Sequence, residues 1–119
     1  MLVDKEVIRK AVDLLLRAAP VGSKVILFGS YARGDARPDS DLDFIVVEPE
    51  VRDRFGEMVR LREALMPLDV MADVLVVSAR VFREWADTPN TVICEAAREG
   101  KVYEQREDKP WSSITPIAC

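Results

Sequence analysis

Two apolar runs, Val25-Ile26-Leu27-Phe28 and Phe44-Ile45-Val46-Val47, are joined by a polar stretch that begins Gly29-Ser30 and ends Asp41-Leu42-Asp43. No other part of the chain constrains its fold so tightly. The runs read as strands over 24–28 and 41–48. Gly29-Ser30 reads as the turn out of the first strand into a short helical Tyr31-Ala32-Arg33, and 34–40 as a loop. Side chains alternate across a strand, so Asp41 and Asp43 share one face and Leu42 takes the other. Two neighbouring carboxylates repel and need a cation. Oxygen ligands suit a hard divalent ion, and Mg²⁺ usually arrives with substrate phosphates. The Gly-Ser turn offers backbone N–H groups and a hydroxyl where phosphate is well received. A phosphate cradle beside metal carboxylates points to phosphoryl or nucleotidyl transfer.

Blander readings compete at each position. Asp and Ser favour turns, so Asp41 and Asp43 could simply begin a strand. Asp39, Asp41, Asp43 and Glu50 also match positions 1, 3, 5 and 12 of a calcium loop. Position 6, however, is Phe44 where glycine is required, and the following residues form a strand. Alone, Gly29-Ser30 would be an ordinary turn; beside the two acids, the phosphate reading is preferred. Arg33 can bridge to phosphate or brace an acid. Ser40 can cap the second strand or hold the carboxylates in place. Asp73 lies inside Ala72-Asp73-Val74-Leu75-Val76-Val77, where an ionised carboxylate is costly unless paired or metal-bound. Asp69, expected on the same strand (69–77) and face, is the fallback third acid.

The stretch Gly29 to Phe44, GSYARGDARPDSDLDF, resembles the signature of the DNA polymerase beta-like nucleotidyltransferase superfamily, and most of all its short branch, the minimal nucleotidyltransferases. The motif carries seven informative positions in order, and the resemblance spans residues 5–103. It implies a small mixed β-sheet with helices packed against it, an α/β (α+β) domain. It also implies transfer of a nucleoside monophosphate, AMP from ATP, to a hydroxyl. Asp41, Asp43 and Asp73 would hold two Mg²⁺ ions, and Asp73 matches the family's third carboxylate best. Gly29 and Ser30 would hold the phosphates, with Arg33 and Ser40 in support. Two such ions sit roughly 3.5–4 Å apart in known sites. The family pattern further implies a HEPN-type toxin as partner in a hetero-oligomer, with its tyrosine hydroxyl as acceptor and this chain as antitoxin. The main alternative is a non-catalytic antitoxin that occludes its partner. A small antibiotic nucleotidyltransferase ranks third, because no second domain is present to hold the drug.

Elsewhere the residues bound the answer without naming it. A chain of 119 residues makes one domain. With 49% hydrophobic and 32% charged residues it reads as globular rather than disordered. A net charge of −4 argues against direct nucleic-acid binding. The arginines of 52–62 alternate with acids, as on a solvated helix face. There is no histidine, which removes imidazole acid–base schemes and His-ligated zinc. Cys94 and Cys119 form no disulfide framework. No apolar run is long enough to span a membrane, and the cytoplasm is the expected location. Helices are expected over 4–18, capped by Asp4, and over 52–66 with Phe55, Met58, Val59 and Leu65 inward. A short helix is expected near 79–86, and a last one from a Thr88-Pro89 start to Gly100. The nucleotidyltransferase domain is read as 1–103. The remainder, 104–119, is read as a loosely ordered tail whose Trp111 and isoleucines dock on a partner.

Overall fold

A computed structural model describes residues 3–104. The chain runs α1 (Lys5–Ala18), β1 (Lys24–Phe28), α2 (Ser30–Arg33), β2 (Leu42–Glu48), α3 (Arg54–Ala64), β3 (Ala72–Ser78), α4 (Ala79–Trp85), α5 (Val92–Glu99) and β4 (Lys101–Glu104), with a 3₁₀ turn at Met66–Leu68. The sheet order is β3-β2-β1-β4. β1 pairs antiparallel with β2 and β4, and β2 pairs parallel with β3. This is the mixed sheet expected, with one strand more than the three anticipated. Lys101-Val102-Tyr103-Glu104 is too short to declare itself in sequence; Val102, buried beside Ile26, and half-buried Tyr103 on the other face anchor it.

Both sheet faces are covered, which is why β2 is buried along nearly its whole length. Leu42, Phe44 and Val46 point to one face with Val25, Leu27, Val74 and Val76, where Ala11, Val12 and Leu15 of α1 and Leu61 of α3 close over them. Ile45 and Val47 point to the other face with Ile26, Phe28 and Val77, under Phe82 of α4, Ala86 just after it, and Ala96 and Ala97 of α5. Asp4 caps α1 by accepting from the Val7 N–H at 2.9 Å. Its absence would cost about 1 kcal/mol.

Several local expectations give way. α3 is shorter than 52–66: Asp53 caps it, accepting from the Gly56 N–H, and Pro67 lies in the 3₁₀ turn beyond it. Its inward stripe is Met58, Leu61 and Leu65, whereas Phe55 is 76% exposed and Val59 partly so. Helical spacing cannot say which of two apolar stripes turns inward. β3 starts at Ala72, not 69. Asp69 has φ 51° at the end of the 3₁₀ turn, a left-handed conformation that no strand residue adopts. The cap of α5 is Thr91, not Thr88; its hydroxyl accepts from the Cys94 N–H and donates to the Thr88 carbonyl at 2.8 Å. Asn90, at φ 66°, keeps Thr88-Pro89 out of the helix. Gly100 ends α5 in extended rather than left-handed backbone. It is needed for space, since a Cβ there would strike the Ala96 carbonyl and Ile26. Glu104 closes β4, and the rest of the expected tail lies outside the described residues. Among the described residues no helix is long and apolar enough to cross a membrane.

Candidate active site

The sheet brings two of the three sequence-selected acids together by register. Asp43 of β2 lies opposite Asp73 of β3 in the parallel pair and opposite Phe28 of β1. Neighbouring strands run roughly 4.8 Å apart, so the two carboxylates stand side by side on one face. Asp41 lies just outside β2, one residue before its start, and is near enough for its charge to act on Asp43. The face is that of α4 and α5.

Like charge marks the cluster. Burial pushes the Asp43 carboxyl above its ordinary range, and the charges of Asp73, Asp41 and Glu95 push it further; Arg33 opposes them. Asp73 itself is exposed, at the beginning of an edge strand. The expectation that its apolar neighbours bury it therefore fails: those neighbours alternate inward while Asp73 sits at the open end. Asp69 stands apart from the strand and does not share this face.

Gly29 has a role beyond a flexible turn. It holds φ 76°, and a Cβ built on it would run into Asp43 Oδ2 and come within 3.2 Å of Cγ. The Asp43 carboxylate thus occupies space that only glycine leaves open. Ser30 opens α2 directly after it, and its carbonyl accepts from Gly34 and Asp35. Ser40 does not touch the carboxylates: its hydroxyl accepts from the Arg37 N–H at 2.8 Å and closes the 37–40 turn.

Arg33 faces acids rather than open space. Its guanidinium lies 3.3 Å from Asp35, 3.3 Å from Glu95 and 3.7 Å from Glu99. All partners are half-exposed and screened by water, so each pair adds little to stability. The geometric effect is larger: α2, and with it the Gly29-Ser30 turn, is tied to α5. Sequence reasoning missed Glu95 and Glu99. They stand 62 and 66 residues beyond Arg33, and a solvated i, i+4 acid pair carries no signal of where its helix packs. A cavity of about 440 Å³ opens beside them, lined by Arg33, Thr91, Glu95 and Arg98.

Hard oxygen donors are the only ligands in the cluster, which fits Mg²⁺ and excludes a thiolate or imidazole site. Among the described residues no three acidic or cysteine side chains are already gathered as a ligand set. The register that sets Asp43 beside Asp73 is the observation that favours a cation there.

The fold is a small mixed-sheet α/β domain with two acids side by side at one end and a glycine turn packed on one of them. The chain belongs to the nucleotidyltransferase domain family, whose family model matches residues 8–111. Solved structures agree. One carrying the name of a minimal nucleotidyltransferase is 35% identical, covering 82% of this chain and 94% of that one, with a TM-score of 0.56. A toxin–antitoxin complex with AMP-PNP contains a chain 27% identical, covering 89% and 77%, with a TM-score of 0.51. A chain of the toxin–antitoxin MntA-HpeT is 26% identical, covering 84% and 75%, with a TM-score of 0.51. No curated protein matches the chain.

Proposed function

We propose that the chain transfers AMP from ATP to a tyrosine hydroxyl of a HEPN-type toxin and thereby acts as its antitoxin. The carrying observation is the side-by-side placement of Asp43 and Asp73, with Asp43 seated against Gly29. The AMP-PNP complex of a similar chain supports the nucleotide, and the toxin–antitoxin neighbours support the partner. Exposed Phe55, Val59 and Met66 offer apolar surface of the kind that partners cover.

Asp41, Asp43 and Asp73 would hold Mg²⁺, which when bound neutralises the triphosphate and acidifies the acceptor hydroxyl. Gly29 and Ser30 hold the phosphates through backbone N–H and hydroxyl. Arg33, fixed by Glu95 and Glu99, keeps that turn in place. The acceptor oxygen forms a bond to the α-phosphorus and the bond to pyrophosphate breaks. The hydroxyl proton passes to the Asp73 carboxylate, which stands exposed on the side an acceptor can reach. Positioning and charge neutralisation supply most of the rate.

Incubating the chain with its co-purified partner, ATP and Mg²⁺ tests this by intact-protein mass spectrometry. The partner should gain one or more nucleoside monophosphates, with tyrosine as the modified residue. A stable complex whose partner stays unmodified would establish the occluding antitoxin instead.

A further inference from the structure

The outer edge of β3 carries a groove that the active site does not use. Arg54, the first residue of α3, reaches that edge and donates its Nε–H to the Val76 carbonyl at 3.0 Å. A cavity of about 440 Å³ opens between this arginine and α4. Half-buried Val51, Val81 and Ile93 and the 46% exposed Trp85 give it apolar walls. Val77 lines it as well, and stands four residues from Asp73 on the same face of β3. Groove and acid thus lie about 13 Å apart along one strand face.

The charged groups in the lining, Arg54 and Arg80, are both cationic. Their positive charge is local, because the whole chain carries a net −4. Arg80 approaches Glu84 only to 3.6 Å, with side chains 80% and 57% exposed, so water screens that pair. Arg54 keeps its terminal amino groups after bonding Val76, and among the described residues the Trp85 indole N–H meets no acceptor. The Ser78 hydroxyl accepts from the Val81 N–H and keeps its own hydrogen to give. The groove therefore presents donors around an apolar floor. It suits a segment that supplies negatively charged acceptors with an apolar side chain between them. Trp and Arg are also the residue types that most often dominate binding energy at protein interfaces.

We propose that this groove docks an acidic, apolar segment of the partner protein, its carboxylates between Arg54 and Arg80 and its apolar side chain on Trp85. The inference rests on the reading of the chain as one that modifies a bound partner. A groove of this size is one anchor within the roughly 1,200–2,000 Å² that a stable complex buries. The acidic surface elsewhere turns such a segment away, so the two arginines fix where and in which direction the partner lies. Held at this end of β3, the partner is free to present a hydroxyl at Asp73.

Calorimetry of the full chain with its co-purified partner, at low and at high salt, tests the groove. Trp85→Ala should weaken the complex by about 30-fold and Arg80→Glu by about tenfold, the latter also flattening the loss of affinity with salt. Arg80→Lys, which keeps the charge, should hold most of the affinity. The Arg80 side chain is 80% exposed, so its reversal leaves the fold intact. ATP affinity should keep its parental value in all three variants. Parental partner affinity in both Trp85→Ala and Arg80→Glu overturns the proposal. So does a loss confined to Phe55→Ser, which would place the partner on the outer stripe of α3. Mass spectrometry of the same partner reads transfer separately. A partner that docks through the groove yet gains no nucleotide sinks the transfer reading and leaves the docking site standing.

Discussion

Strand β2 carries one acid near each end, and the two live in opposite worlds. Asp43 and Glu48 are five residues apart, an odd number, so the pleat sends them to opposite faces. Asp43 stands among like charges at an open end, with only Arg33 opposing them. Glu48 is sealed beneath α3 and carries a proton at neutral pH because burial penalises its charge. Burial is the first cause of both shifts and neighbouring acids the second; the two differ in what surrounds them, several carboxylates at Asp43 against Glu57 with its arginine at Glu48. The direction of a pKa shift therefore does not distinguish a catalytic acid from a buried one; its neighbours do.

Removing either acid should separate the two roles most sharply. Asp43→Asn and Asp41→Asn should each cut transfer by about 10³-fold or more, judged by the loss of preorganised charge at other active sites. Melting should stay at or above that of the parent, since repulsion is relieved. Activity within tenfold of the parent would remove Asp43 from the site. At the other end the effect should appear in stability. The folded state keeps the Glu48 proton that the unfolded chain has already released. Stability should therefore fall as pH rises from the ordinary 4.5 toward about 8. Glu57 acts in the other direction: Arg60 holds its carboxyl low, and that contribution is lost as pH falls below 4.5. The pair thus sets a maximum near that pH. Denaturation across this range should show the decline in the parent and a flat line in Glu48→Gln.

The glycine turn offers a narrower contrast. Gly29→Val should weaken nucleotide binding by about 100-fold in calorimetry, because the new side chain collides with Asp43 and the backbone, at φ 76° and ψ −156°, is one that glycine alone adopts freely, a strain of about 1–3 kcal/mol for valine. Gly34 has a similar φ of 89° but open space around it. Gly34→Ala should lose only about 1 kcal/mol of stability and keep its affinity. Equal binding losses would make the turn's conformation, not the room beside Asp43, the decisive property. Smallest is the ranking of the two acids of the 69–73 segment. Asp73→Ala should lose at least about tenfold more transfer activity than Asp69→Ala, since only Asp73 faces Asp43. A reversed ranking in the same assay would return the proton acceptor to Asp69.

What could be read in sequence was what is encoded locally. Gly29, Ser30, Asp41 and Asp43 fall within fifteen consecutive residues, and their relation depends only on a turn and on the start of a strand. The stripe of α1 was equally plain, because Val12 and Leu15 repeat at helical spacing beside a capping Asp4. The rest depends on contacts between distant segments. Glu95 meets Arg33 only because α5 folds back over the sheet, and β4 exists only because β1 offers it an edge. Phe55 looked inward until packing chose Leu61. Asp69 lost its strand to a left-handed turn that Asp gives little warning of. Glu48, at the end of an apolar run, gave no sign that Glu57 would stand against it.

The parallel pairing of β2 with β3 bears on how the molecule is made. Antiparallel neighbours can zip outward from a turn, but these two strands must first close the long connection 49–71 through α3, and closure of that kind comes at an entropic cost before any contact repays it. Asp43 meets Asp73 only once that closure is complete. A nascent chain that has emerged only through β2 carries the glycine turn and two of the acids, yet presents no finished site. For the proposed site, this ties assembly of the acid pair to the slowest class of contact in the sheet.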